Sequence, residues 1–142
     1  MNILISACLF GVSCRYNGTG KLIPELEQLK KKYNLIPVCP EQLGGLPTPR
    51  KACEQKGDYV ITKDGDDCTE AFCKGAEEVL RLAKLLDCEY AILKERSPSC
   101  GHGKVYDGTF TSTLIDGSGV TAALLSKNGI KVIGESAITS LL

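Results

Sequence analysis

The chain has 142 residues, the size of a single domain, which is long enough for one hydrophobic core and too short for two. Apolar residues (43%) and charged residues (24%) follow the usage of ordinary globular proteins, which excludes a disordered or fibrous chain. The 17 basic and 17 acidic residues balance, and the basic residues form no dense positive field. We therefore expect one domain, residues 1–142, without an extended nucleic-acid surface.

The N-terminal segment Met1 to Ser6 contains an apolar run with no basic leader before it. This run is far too short for a signal peptide or a membrane span, so we expect a cytoplasmic protein with no membrane segment. The chain contains 8 cysteines. In the reducing cytosol, cysteines serve in metal binding or catalysis more often than in disulfides.

The first third of the chain predicts two buried strands, each followed by a cysteine. The run Ile3 to Ala7 predicts a strand with Cys8 after it, and Leu35 to Val38 predicts a strand that ends at Cys39. Between them, Pro24 to Tyr33 carries leucines among charged residues. This pattern predicts an amphipathic helix with proline in its first turn.

The middle of the chain begins with an unusual segment, Pro40 to Arg50, whose prolines and glycines predict a long structured loop instead of a helix or strand. Tyr59 to Thr62, followed by the turn residues 63–66, predicts one arm of a hairpin or an edge strand. The clearest helix is predicted from about Thr69 to Leu86, where apolar residues repeat at spacings of four and three. Its expected buried positions are Phe72, Ala76, Val79, Ala83 and Leu86.

The last third of the chain predicts two more strands and two helices. Tyr90 to Leu93 predicts a strand, and Lys94 to Gly103 forms a second unusual loop. A helix is predicted over Val120 to Leu125, with Gly129 as its terminator. Lys131 to Ile133 predicts the final strand before a short C-terminal helix.

The alternation of strands and helices favours an α/β domain with a mostly parallel sheet covered on both faces, because parallel neighbours need crossover connections. In such sheets, ligands bind beyond the carboxyl ends of the strands, near the point where strand order reverses. Cys8, Cys39 and Cys100 each follow a predicted strand. We therefore expect these three thiols to converge on one metal centre, although buried free cysteines also serve as small hydrophobic residues.

The other cysteines have weaker assignments. Cys14 is close enough to the first loop to be a candidate fourth metal ligand. Cys73 and Cys88 are expected to be packing residues next to the core. The remaining two, Cys53 and Cys68, lie in polar surroundings and are expected to be surface or turn thiols.

The number of protein ligands separates two kinds of metal centre. Structural zinc takes four nitrogen or sulfur ligands, and catalytic zinc takes three with a water molecule. A cubane iron–sulfur cluster takes four thiolates, so a cluster on three thiolates leaves one iron open. An open iron is a Lewis acid that can hold a soft sulfur atom. Three ligands therefore favour a centre with a chemical role over simple electron transfer, and an iron–sulfur cluster and zinc are both candidates.

The stretches Ser6 to Gly11 with Arg15 to Gly18, Pro37 to Arg50, and Leu93-Lys94 with Ser97 to Gly101 resemble the thiouracil desulfidase family, long catalogued as a domain of unknown function. The resemblance spans nearly the whole chain. It implies a Rossmann-like fold and a 4Fe-4S cluster held by three cysteines at the positions of Cys8, Cys39 and Cys100. In that family the free iron takes the thiocarbonyl sulfur of a thiolated pyrimidine, and water replaces the sulfur without net redox change.

The resemblance further implies an acid/base carboxylate and a serine near the cluster, which we assign to Glu41 and Ser97 as catalytic residues. Glu41 follows Cys39 closely enough to reach the cluster, although a carboxylate there can also cap a helix or loop. Either Ser97 or Ser99 can donate a hydrogen bond to the substrate, or can simply close a turn.

Three further residues complete the predicted site. Arg15 and Tyr16, with Ser99, are the expected substrate-binding residues, since a tyrosine ring can stack on a base, although it can equally be a packing residue. Arg50 is expected to brace the loop that precedes it. Asn17 stands where the family commonly has an aspartate.

The leading hypothesis is thus a cluster-dependent desulfidase acting on a small thiolated nucleobase. A rival from another class is a non-catalytic protein that holds zinc or a cluster for structure or sensing, and such a site should recruit a fourth ligand such as Cys14. A cysteine-nucleophile enzyme ranks last, because its only histidine, His102, is flanked by glycines and expected in solvent. Free base, nucleoside and tRNA nucleotide all remain candidate substrates, and the sequence leaves the oligomeric state open.

Overall fold

The computed structural model describes residues 1–142 and contains eight strands and four α-helices. In chain order the elements are β1 (Asn2–Ser6), α1 (Leu26–Lys32), β2 (Asn34–Val38), α2 (Pro40–Leu43), β3 (Cys53–Lys56), β4 (Tyr59–Thr62), α3 (Thr69–Leu85), β5 (Tyr90–Leu93), β6 (Lys104–Tyr106), β7 (Leu114–Asp116), α4 (Val120–Lys127) and β8 (Lys131–Gly134). Two 3-10 helices, Ala7–Phe10 and Glu135–Leu141, directly follow β1 and β8.

Four of the strands form a parallel sheet in the order β2-β1-β5-β8. Ile3 of β1 pairs with Leu35 of β2 on one side and with Tyr90 of β5 on the other. The chain moves outward from β1 to β2 and later returns to the opposite side of β1, so strand order reverses between β1 and β5. The predicted parallel sheet is confirmed, and its reversal point lies at the ends that deliver the cysteines.

Helices cover both faces of this sheet, because its strands carry apolar side chains on both sides. On one face, Ile3, Ile5 and Ile92 pack with α1 and the C-terminal 3-10 helix. On the other face, Leu4 and Leu93 pack with α3 and α4. The three-layer α/β architecture expected from the sequence is confirmed.

The long helix α3 follows the predicted apolar repeat. Phe72, Ala76, Val79 and Ala83 are buried, as expected. Leu86 is 38% exposed, so its predicted burial is wrong, because the helix ends one residue earlier and the chain turns away from the core. None of the helices has both the length and the apolar composition that a membrane crossing demands.

The segment predicted as one long loop, Pro40 to Arg50, begins with the short helix α2, so that part of the prediction is wrong. The physical reason is that Pro40 occupies the first helical position, where a missing N–H costs nothing, and Cys39 supplies an extended N-cap residue. The predicted hairpin arm Tyr59 to Thr62 is confirmed as β4. Its partner β3 precedes it and is joined to it by a turn at residues 57 and 58. The predicted turn at residues 63–66 is also present, since the chain folds back there to an antiparallel bridge between Ile61 and Asp67.

Two glycines allow α2 to lie directly against α3. A Cβ atom on Gly75 would overlap the carbonyl oxygen of Pro40, and a Cβ atom on Gly44 would overlap that of Ala71. Only residues without side chains permit this close backbone approach. The contact fixes the start of α2 relative to the core, and with it the position of Cys39.

Gly75→Ala is therefore expected to destabilise the protein by about 1 to 3 kcal/mol, the cost of overpacking. Helix propensity alone predicts the opposite, a gain of about 1 kcal/mol from replacing glycine in a helix. Urea unfolding should distinguish the two. Lys74→Ala, on the exposed face of the same helix, is the matched control and should stay within about 0.5 kcal/mol of wild type. A stabilised Gly75→Ala protein would show that the two helices can separate freely.

Candidate functional site

A cavity of about 580 Å³ opens at the carboxyl edge of the parallel sheet, beside the reversal point between β1 and β5. Its volume is typical of small-molecule sites. Cys8, Cys39 and Cys100 all line it. The three thiols therefore meet at one site although they are far apart in sequence.

Each thiol reaches the cavity through a different local structure. Cys8 lies in the 3-10 helix that follows β1, and Cys39 is the N-cap residue of α2. Cys100 lies in a tight turn after β5. The Ser97 hydroxyl oxygen closes this turn by accepting the backbone N–H groups of Ser99 and Cys100, both at 3.1 Å.

The chemistry of these thiols fits a metal centre. Burial raises the pKa of Cys8 to about 11 and raises that of Cys100 still further above the ordinary thiol range. Negative charge on Cys39 adds to the rise at Cys8, and negative charge on Cys8 and Cys39 adds to the rise at Cys100, so the three groups lie within electrostatic reach of one another. Buried thiols of this kind lose their protons when metal replaces them.

A single metal ion and a cluster place different demands on the positions of their ligands. No three histidine, cysteine, aspartate or glutamate side chains are placed to hold one metal ion together. A mononuclear zinc site needs its ligands to converge at one point, whereas an iron–sulfur cluster spreads its thiolates around several irons. Three thiols that line one cavity are able to bind different irons of one cluster.

Cys14, the candidate fourth ligand, is buried and lines the same cavity next to Cys39. Burial raises the pKa of Cys14 to about 12, and the neighbouring Cys39 adds to the shift. The Cys39 thiol donates a hydrogen bond to the backbone carbonyl of Cys14 at 3.8 Å. The first loop is therefore tied directly to the start of α2.

A buried ion pair joins the predicted catalytic carboxylate to Arg50. The distance from Arg50 Nη2 to Glu41 Oε2 is 2.6 Å, and the two side chains are 7% and 16% exposed. Arg50 also donates hydrogen bonds to Thr48 Oγ1 and to the Cys14 carbonyl, each at 3.0 Å. Arg50 thus braces the loop, as expected, and holds Glu41 at the cavity wall.

The structure brings most of the other predicted residues to the cavity. Arg15, Tyr16, Glu41 and Ser97 line it, with Tyr16 largely exposed. Ser99 does not line it. This residue is fully buried, and its hydroxyl forms a hydrogen bond with Thr121 Oγ1 at 3.0 Å, because the turn points the Ser99 side chain into the core.

Several residues in or near the site differ from their predicted roles. Cys53 lines the cavity and is half-buried; burial raises its pKa to about 12, and a hydrogen bond with Cys68 adds to the rise. Cys73 is exposed, so its predicted packing role is wrong, because it lies on the outer face of α3. Cys88 is buried as expected, and His102 is exposed as expected.

Sequence reasoning assigned no role to several residues that line the cavity, among them Lys94, Tyr106 and Phe110. Lys94 belongs to the family motif Leu93-Lys94, and its place in that motif was the available signal. The two aromatic residues belong to the β6–β7 hairpin and its loop, whose strands are three residues long and carry too little alternation to be recognised.

Loss of Arg50 should destabilise the fold because it leaves Glu41 as an uncompensated, mostly buried charge. We expect Arg50→Met to lower the free energy of unfolding by about 3 kcal/mol or more. Lys30→Met removes the exposed ion pair to Glu27 and should cost less than about 1 kcal/mol. Urea unfolding of both variants compares a buried pair with an exposed pair in one protein, and equal losses would contradict the bracing role.

Comparisons with known proteins agree with this geometry. The sequence model of the 2-thiouracil desulfurase family matches residues 3–137. The Bacillus subtilis (strain 168) protein named "Uncharacterized protein YbbK" is 41% identical over 150 aligned positions, which cover 99% of each chain. A solved structure of the [4Fe-4S]-dependent thiouracil desulfidase TudS is 42% identical and superposes with a TM-score of 0.94, over 99% of this chain and 94% of that one. The chain belongs to the 2-thiouracil desulfurase family.

Proposed function

We propose that this protein is a 4Fe-4S-dependent desulfidase that converts a thiolated pyrimidine such as 2-thiouracil to the oxo form and releases sulfide without net redox change. The observation that carries the proposal is the meeting of three strand-end thiols in one cavity of small-molecule size. Family membership and the similarity to a [4Fe-4S]-dependent thiouracil desulfidase support the same chemistry.

Cys8, Cys39 and Cys100 are the residues proposed to hold the cluster. When bound to three protein thiolates, a 4Fe-4S cluster offers one iron as a Lewis acid for the soft sulfur of a thiocarbonyl group. Cys14 also lines the cavity, but the cavity has room for a small molecule. We therefore assign the fourth iron of the cluster to the substrate and not to Cys14. The rival, a non-catalytic site for structure or sensing, is not favoured because the family and the similar solved structure are those of a thiouracil desulfurase.

Glu41 is the proposed acid/base residue. Arg50 binds its Oε2 atom, whereas its Oε1 atom makes no hydrogen bond within the protein. The ion pair fixes the direction of the carboxylate, and the free oxygen is available to accept a proton from water that attacks the substrate carbon. The same group can return the proton as the sulfur departs.

Ser97 is the proposed hydrogen-bond donor to the substrate. Its hydroxyl oxygen already accepts two backbone N–H groups, so the turn holds the oxygen in place. The hydroxyl hydrogen is not used in those bonds and can be donated into the cavity. A donor aimed at developing negative charge on an oxygen stabilises the transition state.

Substrate binding is assigned to Arg15 and Tyr16 at the cavity wall. The Tyr16 ring provides a flat apolar surface on which a pyrimidine can stack, and Arg15 supplies positive charge. Ser99 is better explained as a support of the Cys100 turn, through its hydrogen bond to Thr121. A small thiolated base fits the cavity without any extended nucleic-acid surface, and buried reduced thiols fit a cytoplasmic location.

The first test is turnover of 2-thiouracil by protein prepared without oxygen, measured as uracil and sulfide formed. Glu41→Gln should lose about 100-fold or more in rate while keeping its iron, because the amide cannot take up a proton. Glu27→Gln, on the exposed helix α1, is the matched control and should remain fully active. An active Glu41→Gln protein would exclude Glu41 as the acid/base group.

Metal content tests the ligands independently of turnover. Wild-type protein should contain about four irons and about four acid-labile sulfides per chain. Cys8→Ser, Cys39→Ser and Cys100→Ser should each lose them, whereas Cys73→Ser, on the exposed face of α3, should retain them. Protein that binds zinc and no iron would favour the structural or sensing alternative.

A further inference from the structure

A second ion pair, between Lys94 and Glu135, lies beside the cavity and has no part in the function proposed above. Lys94 is the first residue after β5, and Glu135 is the first after β8, so the pair bridges two neighbouring strands. The distance from Lys94 Nζ to Glu135 Oε2 is 3.2 Å, and the side chains are only 17% and 13% exposed. Ion pairs elsewhere on the protein, apart from that of Arg50, are largely exposed.

Both members of this pair are held firmly. The Lys94 backbone N–H donates to Ser6 Oγ at 2.9 Å, and its ammonium donates to the Glu95 carbonyl at 3.2 Å. Glu135 Oε1 accepts the Glu95 backbone N–H. Glu135 Oε2 is buried without a well-directed hydrogen bond, so the Lys94 ammonium is its countercharge.

The two members of the pair lie differently with respect to the cavity. Lys94 lines the cavity that the thiols also line, and Glu135 does not, so the pair meets the cavity through its positive member. Cys8 lines the same cavity, and the Lys94 backbone is hydrogen-bonded to Ser6, two residues before Cys8. The ammonium is therefore within electrostatic reach of the thiol that follows β1.

We propose that Lys94 is the cation that stabilises anionic sulfur in this cavity and that Glu135 is its positioning residue. The proposal rests on the proposed function, since the anions concerned are the sulfur ligands of the iron–sulfur centre and the hydrosulfide that desulfuration releases. A mostly buried cation stabilises a nearby anion strongly, because little water screens the two charges. A free lysine side chain turns its ammonium toward solvent, and Glu135 prevents this.

The test uses anaerobic protein loaded with its iron–sulfur centre and has two readouts, the midpoint potential of the centre and its affinity for hydrosulfide, added as sodium sulfide and followed by absorption. Lys94→Met should make the potential more negative and weaken hydrosulfide binding by about tenfold or more. Lys94→Arg keeps the charge and should largely restore both values. Lys104→Met removes an exposed positive charge outside the cavity and should change neither.

Glu135→Gln shows whether Glu135 acts by holding Lys94 in place or only through its own negative charge. Removal of a negative charge by itself would tighten hydrosulfide binding and raise the potential. If Glu135 holds Lys94 in place, its loss lets the ammonium leave the cavity. We therefore expect weaker hydrosulfide binding and a lower potential in this variant. Tighter or unchanged binding would overturn the positioning role of Glu135.

The double variant Lys94→Met/Glu135→Gln leaves no buried orphan charge, so it keeps the test available if Lys94→Met does not fold. Wild-type affinity and potential in either of these variants would overturn the role of Lys94. Protein that takes up no iron would overturn both this proposal and the proposed function. Loaded wild type that shows the Lys94 dependence but leaves 2-thiouracil intact would support the role of Lys94 and overturn the proposed function alone.

Discussion

The parallel pairing of β1 with β2 on one side and β5 on the other is the constraint on which the rest of the site depends. Because the three strands run in the same direction, the residues that follow them emerge at one edge of the sheet. The reversal of strand order leaves a gap there between the connections. Cys8, Cys39 and Cys100 fill the rim of that gap, and the cavity is its interior.

The second requirement is electrostatic, because a centre built from thiolates brings negative charge into a poorly hydrated place. Two mostly buried ion pairs flank the cavity, Arg50 with Glu41 and Lys94 with Glu135. In the first pair the carboxylate is the proposed acid/base group, and in the second the ammonium is the group proposed to stabilise anionic sulfur. The same type of interaction thus presents a negative group and a positive group to one cavity.

Sequence reasoning succeeded where the pattern was long or repeated. The apolar runs of the sheet strands and the four-and-three repeat of α3 predicted the three-layer architecture, and the position of Cys8, Cys39 and Cys100 after predicted strands led to the cavity. These features depend on periodicity and on the edge rule for parallel sheets, both of which can be read from one chain.

Short elements and long-range partners escaped prediction. The three-residue strands β6 and β7 are too short to show alternation, and the contact that seats α2 depends on Gly75, far away in the sequence. The direction of the Ser99 side chain follows from the turn and from its hydrogen bond to Thr121. A local sequence pattern does not show which distant residues will be in contact. These parts of the site could therefore be seen only in the structure.

The Cys100 turn has a consequence for the order of events during protein synthesis. This turn is held not only by Ser97 but also by the start of α4, since the Thr121 N–H donates to the Ser99 carbonyl and the Gly119 N–H donates to the Gly101 carbonyl. The third thiol is therefore set in place only after α4 has left the ribosome and docked. A ferredoxin-type run brings its cysteines together on a short segment, whereas Cys8, Cys39 and Cys100 come together only through the tertiary fold.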